Sequence, residues 1–292
     1  MKKIACLTII LAAIGYCSAQ TIPETHEWKA VLKIIDDAGL PVGGANVSVF
    51  YDVRLDSTNL GKIVGLTDTN GVFTTSHRDQ TYGLRFLIEK IGCYSTDLQD
   101  DFGGFFTPEK LNPNLTLMLK KIGKPIPMYA KRILSLRLPE FNKAIGYDLM
   151  IGDWVGPYGK GVNTDLFFTE KHTDPQSGYI LSMSFPKPGD GIQEFTVPAV
   201  EKGSGLRSAH EAPVDGYQPE VVQTEMTNPN RNFYFRVRTK LDENGNVVSA
   251  RYGKIYGDLA QFTYYFNPTL NDRNVEFDPK QNLLGGEQVR QP

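Results

Sequence analysis

The chain has 292 residues, 40% hydrophobic and 22% charged, with a formal net charge of −2. That length suffices for two ordinary domains, each burying its own core. The lack of a basic excess argues against a nucleic-acid partner, which would call for a basic stripe or face. With 14 Tyr, 16 Phe, 28 Gly and 18 Pro, the composition suits twisted sheets with frequent turns.

Lys2 and Lys3 precede an apolar run, Ile4 to Ile14, and the small residues Ser18 and Ala19 follow. This is the layout of a secretory signal peptide, residues 1–19, with cleavage expected after Ala19. The run is shorter than the roughly 20 residues a membrane-crossing helix needs, and no later stretch is long and apolar enough. The mature chain is thus expected to be secreted or periplasmic, without a transmembrane segment. Bulky Tyr16 argues against lipidation of Cys17. Cys6 and Cys17 leave with the signal, so Cys93 has no internal disulfide partner and burial must stabilise the fold.

The run from Lys29 to Asp36 reads as a strand entering the turn formers DDAGLPVGG. From Asn46 to Val53, Val47, Val49, Tyr51 and Val53 share one face and Asn46, Ser48, Phe50 and Asp52 the other, a half-buried strand. GKIVGLTD, the turn Thr69-Asn70-Gly71 and VFTTS read as a hairpin. YGLRFLIEK and LTLMLKK complete a series of short strands that predicts a β-sandwich over residues 25–122.

Two prolines in Gly123 to Met128 predict a linker, 123–131, before a larger β-rich region at 132–292. There VNTDLFFTEKH and YILSMSF form an expected hairpin about TDPQSG. FYFRVRTKL, VVSARYGKIYGD and QFTYYF read as a three-stranded antiparallel meander with one apolar face. Phe233, Phe235, Val237, Thr239 and Leu241 fall on that face, and Tyr234, Arg236, Arg238 and Lys240 on the other. Gly253 and Gly257 mark bulges or close backbone approaches. The polar stretch between Pro198 and Pro219 reads as a long loop, either functional or disordered. Ser135 to Lys143 alone has a trace of helical periodicity, interrupted by Pro139. The fold class expected is all-β: a transthyretin- or Ig-like sandwich followed by a larger antiparallel domain.

The pattern D-x-x-G-x-P-V-x-G-A-x-V-x-V at Asp36 to Val49, with G-L-T-D-T-N-G-V-F at Gly65 to Phe73 and E-K-x-G-C-Y at Glu89 to Tyr94, resembles the carboxypeptidase-regulatory-like family over about residues 29–122. Pro41 and Gly43 shape a turn into the second strand, Ala45 packs closely, and Asp68 to Gly71 closes a hairpin. Cys93 stands where the family often carries an aromatic or small residue. The resemblance implies a seven-stranded sandwich, usually non-catalytic, serving secreted or envelope proteins as a structural or binding module.

Catalytic patterns are incomplete. His210-Glu211 lacks a second histidine at metalloprotease spacing, and Lys202-Gly203-Ser204-Gly205 lacks the first glycine of a nucleophile elbow. Cys93 reads as a core cysteine. Asp242, Asn244 and Asn246 suit a hairpin turn better than a calcium loop. No catalytic residue, metal site or cofactor is assigned. Four residues are candidates for ligand binding. Trp154 and Tyr158, in the glycine-rich GDWVGPYGKG, suit stacking on sugars, although Trp154 capping the second core is the favoured reading. Arg236 and Arg238 suit an anionic polymer, although a strand's solvent face often carries such charges.

The expected function is therefore a non-catalytic secreted or envelope module, binding a polysaccharide or another envelope protein. The alternatives are a secreted carbohydrate-active hydrolase with an acid pair near Asp153, Asp165 or Glu170, and a structural component that self-assembles through sheet edges.

Overall fold

The computed structural model describes residues 25–51, 60–79, 81–101, 107–174, 178–224, 228, 230–286 and 288–292. The expected signal peptide and Val53 lie outside them. Seven strands come first: β1 (His26–Ile35), β2 (Asn46–Tyr51), β3 (Gly61–Leu66), β4 (Val72–Asp79), β5 (Gly83–Glu89), β6 (Thr96–Asp101) and, after the one-turn helix α1 (Pro108–Leu111), β7 (Asn114–Met118). Next come β8 (Ile126–Ile133), β9 (Ile145–Asp148), β10 (Asp153–Trp154), β11 (Leu166–Asp174), β12 (Gly178–Ser184) and β13 (Gly191–Phe195). A 3-10 turn at Ala199–Glu201 precedes β14 (Glu220–Gln223), β15 (Asn232–Leu241), β16 (Val247–Gly257), β17 (Phe262–Phe266) and β18 (Phe277–Asn282). The chain is all-β in class, as its composition and alternation predict.

The first seven strands make two sheets, ordered β4-β1-β7 and β3-β2-β5-β6. β1 shows how sequence becomes core: Trp28, Ala30, Leu32 and Ile34 alternate with outward Lys29, Val31 and Lys33, and all four are fully buried. They meet Val47 and Val49 of β2 and Leu84, Phe86 and Ile88 of β5 in one cluster.

The turn at Asn70-Gly71 does not close the expected hairpin. β3 pairs with β2 and β4 with β1, so the turn carries the chain from one sheet to the other. The Asp68 carboxylate sets the turn by accepting the N–H groups of Asn70 and Val72 at 2.9 and 2.8 Å. Gly71, at φ +73°, then lies against β1: the Ile34 N–H donates to its carbonyl at 2.8 Å, and a Cβ there would stand 2.4 Å from the Ile34 carbonyl oxygen. That approach delivers the chain to β1 instead of back to β3.

The remaining strands make a five-stranded sheet, β10-β9-β11-β12-β14, and a six-stranded sheet, β13-β15-β16-β17-β8-β18. Between them lies a core that includes Tyr147, Phe168, Met183, Phe233, Phe235, Val237, Ile255, Tyr264 and Phe266. β11 and β12 form the expected antiparallel pair, and β15, β16 and β17 the expected meander. Gly253 is a close approach, since a Cβ there would lie 2.2 Å from the Phe235 ring.

Two further expectations change. Most of the segment read as a linker is β8, which pairs antiparallel with β17 from Tyr129 to Ile133; Met128 and Ala130, on the side away from the sandwich core, are fully buried, and that burial outweighs the turn-forming prolines. The stretch from Ser135 to Lys143, whose helical periodicity Pro139 interrupts, forms bends and turns. The six-stranded sheet is covered on both faces: Tyr234, Tyr252, Lys254, Tyr256 and Tyr265, all on the side opposite the sandwich core, are buried. Their cover is the long polar segment after Pro198, where Leu206, Ser208 and Ala212 have no exposed surface, together with Val275, Phe277 and Val289.

Candidate functional site

The covered face of the six-stranded sheet carries both the densest polar chemistry and the cavity. Cross-strand pairs set its rows: Asn232, Tyr256, Thr263 and Arg132 in one, Tyr234, Lys254, Tyr265 and Ala130 in the next.

In the second row Lys254 is fully buried among aromatic rings, its Nζ 4.7 Å from the Tyr256 centroid and 5.0 Å from that of Tyr265. The ammonium donates to the Tyr256 hydroxyl at 2.9 Å and to Ser208 Oγ at 3.3 Å. Burial pushes its pKa well below the ordinary lysine value, with Glu276 pulling upward. Burial likewise raises the Tyr256 and Tyr265 hydroxyls.

This layer also joins the two sandwiches. Lys120, at the end of the first, pairs with Glu201 and donates to the Ser208 carbonyl at 2.9 Å. The Asp97 N–H donates to the Gly203 carbonyl and the Gly205 N–H to that of Ser95, at 2.8 and 2.9 Å. The Glu276 carboxylate, 1% exposed, accepts the Tyr94 hydroxyl at 2.6 Å and the N–H groups of Gly123 and Lys124 at 2.8 and 2.7 Å. Ser204, the serine between glycines, is buried in this seam, and His210 reaches the Lys121 carbonyl at 2.9 Å.

At the end of the first row opens a cavity of about 650 Å³. Tyr256, Thr263, Tyr265 and Arg132 contribute from the sheet, Arg207 from the covering segment, and Arg290 from the C-terminal segment. The Arg207 guanidinium stands 5.6 Å over the Tyr256 ring. The Tyr265 hydroxyl, raised by burial and by Tyr256, is drawn back down by Arg207 and Arg132, so both charges reach it. Among the described residues none of the three arginines has a carboxylate within salt-bridge distance. Asp258, the acid in the wall, accepts the N–H groups of Asn228, Ala260 and Gln261 and so holds the β16–β17 turn.

The four residues singled out by sequence lie elsewhere and do not converge. Trp154 is half-buried on the second core, edge-on to Tyr147 at 5.2 Å and Phe168 at 5.8 Å. The Tyr158 hydroxyl donates to Glu140 and accepts from Lys143. Arg236 lies 4.7 Å over the Tyr217 ring and donates to the Gly189 carbonyl at 2.7 Å. Arg238 does not share that face. A bulge after Val237, with Arg238 at φ +57°, turns it toward the core side, where it forks onto Asp165 at 2.6 and 3.0 Å and approaches Asp148 at 3.8 Å. Of the carboxylates considered for an acid pair, Asp165 is engaged by Arg238, and Asp153 by the N–H groups of Trp154 and Lys160 at 2.9 and 2.8 Å. The cavity arginines come from positions 132, 207 and 290, so no local motif could announce them. Among the described residues no helix is long and apolar enough to cross a membrane.

No family model matches the chain, and no curated relative does. Among solved structures it is similar to 3-chlorocatechol 1,2-dioxygenase from Rhodococcus opacus 1CP, at 16% identity over 35% of this chain and 62% of that one, with a TM-score of 0.26. It is also similar to the shaft pilin of Lactobacillus rhamnosus GG, at 11% identity over 57% of this chain and 90% of that one, with a TM-score of 0.25. The chain covers less than two thirds of the dioxygenase's length. Likeness at this level carries no argument about activity.

Proposed function

We propose that the chain is a non-catalytic module, secreted or periplasmic after loss of residues 1–19, that binds an anionic polysaccharide through the cavity on the six-stranded sheet. The carboxypeptidase-regulatory-like pattern at 29–122 supports a module of that kind. The observation that carries the reading is the contrast among arginines. Among the described residues Arg85, Arg231, Arg238 and Arg273 each pair with a carboxylate at 2.5 to 2.6 Å, whereas Arg132, Arg207 and Arg290 share one cavity with none at salt-bridge distance. Unpaired guanidiniums around a cavity with aromatic walls suit an incoming anion.

The test is retention of residues 20–292 on an array of neutral and acidic glycans and cell-wall polymers, beside an Arg132→Gln/Arg207→Gln double variant and Trp154→Ala. The expected outcome is retention on acidic polymers, lost in the double variant and kept in Trp154→Ala. Retention that only Trp154→Ala abolishes, or none at all, refutes the cavity as the binding site.

A further inference from the structure

The cavity carries more donors than acceptors. Three guanidiniums bring five N–H donors each and no acceptor, while Gln261, Thr263 and Gln288 add both donors and acceptors to the wall. Its carboxylate, Asp258, already accepts three backbone N–H groups. A neutral sugar brings about as many hydroxyl donors as acceptors and would leave donors facing donors. A planar carboxylate is satisfied by one guanidinium fork.

The three arginines rise from separate parts of the chain: a sheet strand, the covering segment and the C-terminal segment. Tyr256 stacks under Arg207, and buried Val289 together with the Gln291 amide, which donates to the Gly205 carbonyl at 3.4 Å, fixes the segment carrying Arg290. Three guanidiniums against one carboxylate leave an excess of two positive charges in the wall among the described residues. A group with three acceptor oxygens pointing in different directions uses all three forks.

We infer that the group this cavity takes is a tetrahedral oxyanion ester, phosphate or sulfate, carried on the polysaccharide. The inference rests on the anionic-polymer reading above and narrows it.

The experiment is equilibrium binding of the purified protein, at one fixed ionic strength, to phosphomannan, dextran sulfate, polygalacturonate and unmodified dextran. Arg207→Gln and Arg290→Gln are measured alongside, their folding checked by thermal melting. At least one ester polymer should bind about tenfold or more tightly than polygalacturonate, and each variant should weaken it by about tenfold, the effect of one lost charge-assisted contact. The preferred polymer of the two ester carriers tells phosphate from sulfate. Polygalacturonate binding as tightly as either ester polymer, with the same dependence on the arginines, overturns the ester inference and leaves the anionic-polymer reading standing. Dextran binding equally well, or binding indifferent to both variants, overturns both.

Discussion

The four-stranded sheet of the first sandwich and the six-stranded sheet of the second both alternate inward and outward residues, yet their outward faces differ sharply. On β3, Val64 and Leu66 point away from the core and are 60% and 62% exposed. Beside them Phe50 lies under Lys62 and Arg85, at 5.2 and 5.4 Å, a solvent face tempered by charge. On the six-stranded sheet the corresponding outward residues, Tyr234, Lys254 and Tyr265, are buried. The strands of both sheets follow the same periodicity. What differs is that the segment around 199–212, with Val275, Phe277 and Val289, packs over one face of the second sheet, so a sheet's solvent face is a property of the whole chain.

The largest expected effect comes from removing an aromatic ring of the covered face. Tyr265 sits 5.3 Å from both the Tyr256 and Phe277 rings, and Tyr265→Ala should cost about 3 to 5 kcal/mol in denaturant unfolding. A cost below about 1 kcal/mol would mean the cover is loose and the two faces are alike.

Lys254 sharpens the contrast through pH. Its folded pKa lies below that of the unfolded chain, so between that lowered value and about 10.4 the unfolded state holds a proton the native state lacks. Stability from this group therefore rises with pH across that window. Lys254→Met should flatten that rise and, by removing the desolvation cost, raise stability near pH 7 by about 1 kcal/mol. Melting temperatures of both proteins from pH 6 to 10 test this, and parallel curves would show that the cover admits water to the amine.

The smallest effect is expected on the open face. Leu66→Ser should change stability by less than about 0.5 kcal/mol. A larger loss would place an unsuspected partner on that sheet.

Much of the fold was legible. The alternation in β2 and β15 named the core residues Val47, Val49, Phe233 and Phe235, because period-two burial is a local property of an extended chain. Turn chemistry was less reliable. Asn70-Gly71 marked a turn correctly, but its partner was decided by the approach of Gly71 to β1, some 37 residues earlier in the chain. Prolines near 125 and 127 suggested a linker, yet the burial of Met128 and Ala130 drew the segment into the sheet. Trp154 packs on the second core, the reading favoured for it, whereas Arg238 leaves the expected face at a bulge.

By itself, then, the sequence determined the all-β class, many of the strands and the inward faces of β2 and β15, each set by contacts within a few residues. Only the tertiary structure decided which faces are covered, that the polar stretch after Pro198 ties the two sandwiches together, and that Arg132, Arg207 and Arg290 share one cavity. The physical reason is that periodicity reports which side chains point the same way, whereas coverage and charge convergence depend on segments brought together from distant parts of the chain by the packing of the whole.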